Sequence, residues 1–302
     1  MRIVHLSDLH VLALDGAVPW RLFNKRATGW LNLKLKREHA HRPALLAAVA
    51  ARIREVAPDH VVVTGDLSNL SLEGELARVR TFLDDELGLP PEHVSVVPGN
   101  HDVYTRGAAR SGRFERFFAP YLVSDLPDLA TAQPAGRFPF VKLRGPVALI
   151  GLSSARPRPP LVASGSLGPE QLAALDRVLA HDAVRSRLPI VLVHHPLHAP
   201  RSWWKAHMDA LTDADALASR LKGLDRGLLL HGHLHERTRR AVGRVSSLGA
   251  TSASLAHEHS ARVAGFNVYD VADDGTLAAV GAERIDLGTG SFVATDVPHA
   301  HS

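Results

Sequence analysis

Short runs of apolar, mostly β-branched residues recur along the chain at 3–6, 61–63, 94–97, 147–150, 190–193 and 228–230. Each run is four residues or so long and bounded by polar or turn-forming residues, the pattern of a strand buried on both faces. Between several of them, apolar positions fall at helical spacing. Over 43–56, Leu45, Leu46, Val49, Ile53 and Val56 line one face, and Pro43 sits where a first helical turn tolerates it. Leu72, Leu76, Val79 and Leu83 predict a second helix, and Leu172, Leu175 and Leu179 a third after Pro169 and Glu170. Continuously apolar strands alternating with helices predict a layered α/β fold in which helices cover the sheet faces. No internal repeat and no linker divides the chain, so 1–286 is expected to form one domain. Residues 153–160 read as a loop, and 287–302, with little pattern, as a loose tail.

The polar groups that follow these strands change the picture. Asp8 and His10 follow the first, Asp66 the second, and Asn100, His101 and Asp102 the third; His194 and His195 follow the run at 190–193, and His233 and His235 the run at 228–230. In open α/β sheets ligands bind beyond the carboxyl ends of the strands, where the loops are free to carry chemistry. Any one of these groups alone reads as turn chemistry or a core histidine. Five in one chain, each at the same end of a strand, point to a metal site. Aspartate oxygens and imidazole nitrogens suit Mn²⁺, Fe²⁺ or Zn²⁺. Cysteine is absent, which excludes thiolate ligands and disulfides. Asp66 is the candidate bridge between two ions, the pairs Asp8/His10 and His233/His235 are spaced to reach one ion each, and Asn100 offers a neutral oxygen.

In this order the blocks read D-x-H, G-D, G-N-H-D, a histidine after a strand, and G-H-x-H, from Asp8 to His235. Together they resemble the calcineurin-like metallophosphoesterase family. The resemblance implies a four-layer fold, a β-sandwich flanked by helices, with the active site at the carboxyl ends of the strands. It also implies one divalent ion on Asp8, His10, Asp66 and His235 and another on Asp66, Asn100, His194 and His233. A hydroxide bridging two ions about 3.5–4 Å apart would then attack phosphorus in line. His101 is expected to meet the substrate and protonate the leaving oxygen, with Asp102 orienting its imidazole and raising its pKa. His195 is expected beside His194 as a further substrate contact. The motif wording is similar to bacterial cyclic-nucleotide phosphodiesterases, so the expected substrate is a small phosphodiester. Two alternatives stay open: a peripheral-membrane pyrophosphohydrolase or phosphatase acting on a lipid-linked or nucleotide-lipid substrate, and a non-catalytic metal-binding scaffold.

Composition is that of a globular protein, with 45% apolar and 22% charged residues. Net charge is +4, yet it is concentrated: between 20 and 42 seven basic residues face only Glu38, a local excess of +6. The same stretch holds Trp20 and Trp30. Within an insertion spanning 14–42, it reads as a packed excursion, as a cap drawing a phosphorylated molecule to the metals, or as a contact through 20–37 with anionic lipid. A nuclease would need a long basic groove with interleaved aromatics, so a small phosphate ester and not nucleic acid is the expected partner. No apolar run approaches the roughly 20 residues that span a bilayer, and Asp8 arrives too early for a signal-peptide core. A cytoplasmic protein is expected, with 20–37 as its point of contact if it meets the inner face of a membrane. Oligomeric state is not written in the pattern.

Overall fold

The computed structural model describes residues 1–13, 41–198 and 208–299. The basic, Trp-containing stretch at 14–40 and the segment carrying Trp203 and Trp204 lie outside the described residues.

Strand β1 (Arg2–Leu6) leads through helix α1 (Pro43–Val56) to β2 (His60–Val63), then through α2 (Glu73–Thr81) to β3 (Val94–Val96). After α3 (Arg106–Arg110) and α4 (Arg113–Phe118) come the small hairpin β4 (Thr131–Gln133) and β5 (Gly136–Phe138), then β6 (Phe140–Arg144) and β7 (Val147–Gly151). Helices α5 (Pro169–Ala180) and α6 (Asp182–Arg185) lead to β8 (Leu188–Leu192), and α7 (Ala214–Lys222) to β9 (Gly227–His231). The chain finishes with β10 (Thr238–Val242), β11 (Val245–Gly249), β12 (Gly265–Val271), β13 (Leu277–Ile285) and β14 (Phe292–Thr295). Two six-stranded sheets result, ordered β14-β13-β12-β1-β2-β3 and β10-β11-β9-β8-β7-β6. Within them β1, β2 and β3 run parallel, as do β7, β8, β9 and β11. The carboxyl ends of β1, β2, β3, β8 and β9 carry the predicted ligands.

The two-residue strand period sorts the second sheet's side chains between two cores. Leu149, Ile190, Leu192, Leu228 and Leu230 join a core shared with Val4, Val62, Phe266 and the α1 residues Val49 and Ile53. Ala148, Ile150, Val191 and Leu229 point the other way, against Leu172 and Leu175 of α5 and Leu217 and Leu221 of α7. Every residue of these two sets is at least nine-tenths buried, and a fully buried aliphatic side chain contributes about 1.5–3 kcal/mol. This is why the strands carry unbroken apolar runs: each face meets a core, giving a helix–sheet–sheet–helix sandwich.

The predicted strands correspond to β1, β2, β3, β7, β8 and β9. The expected loose tail is a correction. Residues 292–295 form β14, paired antiparallel with β13, and His299 bridges to Arg239. The tail pattern is weak because β14 is an edge strand, and an edge needs no continuous apolar run.

His60 opens β2 fully buried, with Nε2 2.9 Å from Ser95 Oγ. Burial first, then the charges of Lys142 and Arg144, hold it well below its ordinary 6.5. The folded protein therefore keeps it neutral while the unfolded chain protonates it below pH 6.5, so stability present above that pH is lost as acid is added. One such group costs up to about 1.4 kcal/mol per pH unit. In thermal melts from about pH 7 to about pH 5, His60→Gln should lose less stability than the wild type; an equal slope removes His60 from the account.

Candidate metal centre

Five of the seven predicted ligands adopt left-handed backbone: Asp8, His10, Asp66, His233 and His235, with φ between 47° and 70°. For residues with a Cβ this costs on the order of 1–3 kcal/mol each and persists only where surrounding structure enforces it. The enforcement is visible. Past the end of β1 the chain stays zipped to the loop after β2, through Asp8 N–H to Gly65 O at 2.9 Å and His10 N–H to Asp66 O at 3.0 Å. Ser252 Oγ donates to Asp8 O and Asn69 Nδ2 to His10 O, both at 2.6 Å. The left-handed residues turn the chain across the sheet edge, so that alternate side chains face one place.

Each carboxylate is anchored on one oxygen by a neighbouring motif. Asp8 Oδ2 accepts the His233 N–H at 3.0 Å, and Asp66 Oδ1 accepts the His101 N–H at 2.8 Å. The free oxygens meet imidazoles: Asp8 Oδ1 lies 3.1 Å from His235 Nε2, and Asp66 Oδ2 lies 3.3 Å from His194 Nε2. Two glycines make the approach possible. A Cβ on Gly232 would collide with Ser7 Oγ and Asp8 Oδ2, and one on Gly99 with Asp66.

All seven predicted residues come together, in two clusters. In one, His10 Nε2 lies 3.0 Å from His235 Nε2 and 3.8 Å from Asp8 Oδ1. In the other, His194 Nε2 lies 3.1 Å from Asn100 Oδ1 and 3.2 Å from His233 Nδ1. Asp66 has oxygens within ligand reach of both, near His10 and His101 on one side and Asp8 and His194 on the other. His194 Nδ1 is tied to Thr64 O at 2.7 Å, which fixes the tautomer and presents Nε2.

The donor set fits divalent ions on its own chemistry. The buried Asp8 Oδ1 accepts no hydrogen bond, and His10 Nδ1 is buried without a partner. Imidazole nitrogens converge on one another, an arrangement with more lone pairs than protons to share. Burial would raise Asp66, but His194 and His101 outweigh it and hold Asp66 well below the usual carboxylate range. Burial would lower His194, yet Asp66 holds it up at about 9. The place asks for positive charge. Burial, then repulsion from neighbouring imidazoles, keeps His10 well below its ordinary value and His233 at about 3, the neutral form that binds metal.

Two expectations need correction. Asp102 does not orient the His101 imidazole. It is buried, and its carboxylate accepts the N–H groups of Leu67, Ser68 and Gly99 and the Ser68 hydroxyl at 2.9–3.1 Å. It ties the loop after β2 to the loop after β3; burial, then Asp66, pushes it up to about 7. His101 is held instead by Asn69 O, 2.6 Å from Nδ1, and by stacking on Tyr104 with ring centroids 5.4 Å apart. His195 is not placed to touch substrate. It is fully buried, with Nδ1 2.7 Å from Ser154 Oγ and Nε2 2.7 Å from Ala163 O, and its ring packs behind His233.

Sequence reasoning missed Thr64, Asn69 and Ser252, whose backbone carbonyl, side-chain amide and hydroxyl respectively hold His194, His10 and Asp8. Thr64, a polar residue closing the run Val61-Val62-Val63, was the one legible signal. It also missed His41, whose ring lies 4.6 Å from that of His10.

A sandwich with histidines and carboxylates of five strand ends converging on a shared aspartate defines a dimetal phosphoesterase. The family model for calcineurin-like phosphoesterases matches residues 1–237, and the chain belongs to that family. A probable cyclic nucleotide phosphodiesterase of Synechococcus sp. is 25% identical over 233 residues, 76% of this chain and 78% of that protein. Among solved structures, a dimetal phosphatase from Danio rerio superposes with a TM-score of 0.58 at 13% identity over 99% of both chains. A purple acid phosphatase from yellow lupin (Lupinus luteus) seeds gives 0.54 at 14% identity, over 97% of this chain and 52% of that one. These two likenesses show the fold. The family uses a dinuclear divalent metal centre, and the histidine and aspartate groups here could hold one.

Proposed function

We propose that this chain hydrolyses a small phosphodiester, such as a cyclic nucleotide, on two divalent ions held by Asp8, His10, Asp66 and His235 and by Asp66, Asn100, His194 and His233. The observation that carries the reading is Asp66, shared between the two clusters and anchored by the His101 N–H. The relative named as a cyclic nucleotide phosphodiesterase supports the diester. Bound ions would supply Lewis acidity toward the phosphoryl oxygens and an activated water.

The chain's own part is orientation and proton handling. His101 is half-buried, its ring edge-on to His10 with centroids 5.2 Å apart. Nδ1 is held by Asn69 O, and we assign Nε2 to the substrate. Protonated there, it hydrogen-bonds a phosphoryl oxygen or gives its proton to the leaving alkoxide. His101→Ala should lower kcat by about 10²- to 10⁴-fold, with metal content by elemental analysis kept; loss of an ion would make His101 a ligand instead.

A second reading, hydrolysis of a lipid-linked phosphate ester at a membrane surface, is favoured by a mostly apolar cavity of about 100 Å³ beside His10, walled by Leu9, Val11, Leu46, Ala47 and Phe82. Among the described residues no helix is long and apolar enough to cross a membrane, so contact would fall to a surface segment. Turnover of bis(p-nitrophenyl) phosphate against p-nitrophenyl phosphate, with Mn²⁺ and with chelator, decides the first reading. Diester preference is expected; monoester preference overturns the substrate class, and no metal-dependent turnover returns the scaffold. Stimulation by anionic vesicles that disappears in Trp20→Ala/Trp30→Ala would favour the second reading.

A further inference from the structure

Among the described residues Arg237 is the largest side chain to be fully buried, and no carboxylate pairs with its guanidinium. The charge that acts on it is another cation, Arg284. Its partners are three main-chain carbonyls: Nη1 donates to Ser260 O at 2.9 Å and to Val263 O at 3.1 Å, and Nη2 to Glu283 O at 3.1 Å. Its own main-chain N–H donates to Ala261 O at 2.8 Å. Arg237 thus joins three pieces of chain, the turn that leaves His235, the returning arm of the loop between β11 and β12, and β13.

The outgoing arm of that loop reaches the metal centre. Ser252 Oγ donates to Asp8 O at 2.6 Å, and the Ala253 N–H to Ser7 O at 3.0 Å. Thr251 ties the two arms together, its hydroxyl donating to Arg262 O at 2.6 Å. A line of contacts therefore runs from the guanidinium through the returning arm and Thr251 to the residue that holds Asp8. On its other side, Arg237 follows His235 by two residues.

We propose that Arg237 is a positioning residue for the metal centre, setting Asp8 and His235 toward one ion through the loop at 250–264. The proposal rests on the two-metal reading above.

A buried arginine could merely satisfy loop carbonyls, and two observations argue against that account. Desolvating an unpaired cation is costly, whereas Ser260 is exposed and its carbonyl could take water without that cost. The fold also clears space for the guanidinium, because a Cβ on Gly265 would collide with Nη2. What the planar fork adds is geometry: its rigid N–H groups fix the carbonyls of separate segments relative to one another, which water does not.

The test is a Co²⁺ titration of the metal-free full chain, read by equilibrium dialysis and visible absorption, for the wild type, Arg237→Met and Arg237→Lys. His235→Ala marks which absorption bands belong to its ion. The wild type should bind two ions. In Arg237→Met the ion marked by His235 should bind roughly 10- to 100-fold more weakly with altered bands, and the other ion should be unchanged. Arg237→Lys, which keeps the charge and part of the hydrogen bonding, should recover part of the loss. Methionine is long and apolar and needs no carbonyl partners, an exchange that folds often tolerate, and melting temperatures of the metal-free variants check this. If Arg237→Met does not fold, Arg237→Lys carries the test, with a smaller loss confined to the same ion. Wild-type affinity for both ions in a folded variant overturns the proposal, and so does equal weakening of both, which would make Arg237 a general support. No ion bound by the wild type would fell the two-metal reading, and the proposal with it.

Discussion

Replacing Asp66 with alanine is expected to cost roughly 10³-fold or more in metal-dependent turnover, the loss of several kcal/mol of charge stabilisation. Asp66 groups with His10 of one cluster and His194 of the other: one oxygen takes the His101 N–H and the other faces His194. Alanine removes the shared anion and releases the loop that carries His101, so binding of both ions and placement of the proton donor fail together. Asp66→Asn separates these effects. Its amide oxygen can still accept from His101 while the charge is gone, so if charge sharing is the main role, turnover should fall nearly as far as in the alanine variant. Elemental analysis should find fewer than two ions per chain in both variants. Two retained ions with wild-type kcat would remove Asp66 from the centre.

Removing the ions with a chelator should abolish turnover and lower the melting temperature by on the order of 10 °C. An ion in hundredfold excess over its Kd stabilises the fold by about 2.7 kcal/mol, and two ions by about twice that. Here the effect has an identifiable origin. Without metal, Asp8 and Asp66 stay buried with an oxygen each aimed at imidazoles, and the left-handed turns at Asp8, His10, Asp66, His233 and His235 would lose the ligation proposed for them. Differential scanning calorimetry with chelator and then with Mn²⁺ returned checks both size and reversibility. A melting temperature indifferent to chelator would mean that the protein, as purified, carries no bound divalent ion.

How much of this was legible in the sequence differs between the halves of the molecule. The parallel strands β1, β2, β3, β7, β8 and β9 could be read because both faces meet apolar cores, which forces unbroken runs of Val, Ile and Leu. Strands β10 to β14 went unread, since edge and outer strands alternate or mix polar residues and their pairing is set by partners far along the chain. β12 pairs with β1 through Tyr269 and Ile3, a contact that no local pattern announces. For the same reason a supposed tail became β14. The roles of Asp102 and His195 were misread for a related reason: adjacency to a ligand in sequence says which loop a residue occupies, but not which way its side chain turns.

The sequence by itself determined the candidate donor set. Seven residues placed immediately after apolar runs stand at the carboxyl ends of parallel strands, three in one sheet and two in the other, and the packing of the two sheets brings them together. Only the tertiary structure decided which oxygen or nitrogen of each residue faces inward. That choice is made by Gly65 O, Thr64 O, Asn69 and Ser252 across loop-to-loop hydrogen bonds, and by glycines that let neighbouring motifs touch. It also decided that His41, bound to Ser254 more than two hundred residues away in sequence, stands beside His10. Hydrogen bonds between separate loops depend on three-dimensional closure, which strand patterning brings about but does not spell out.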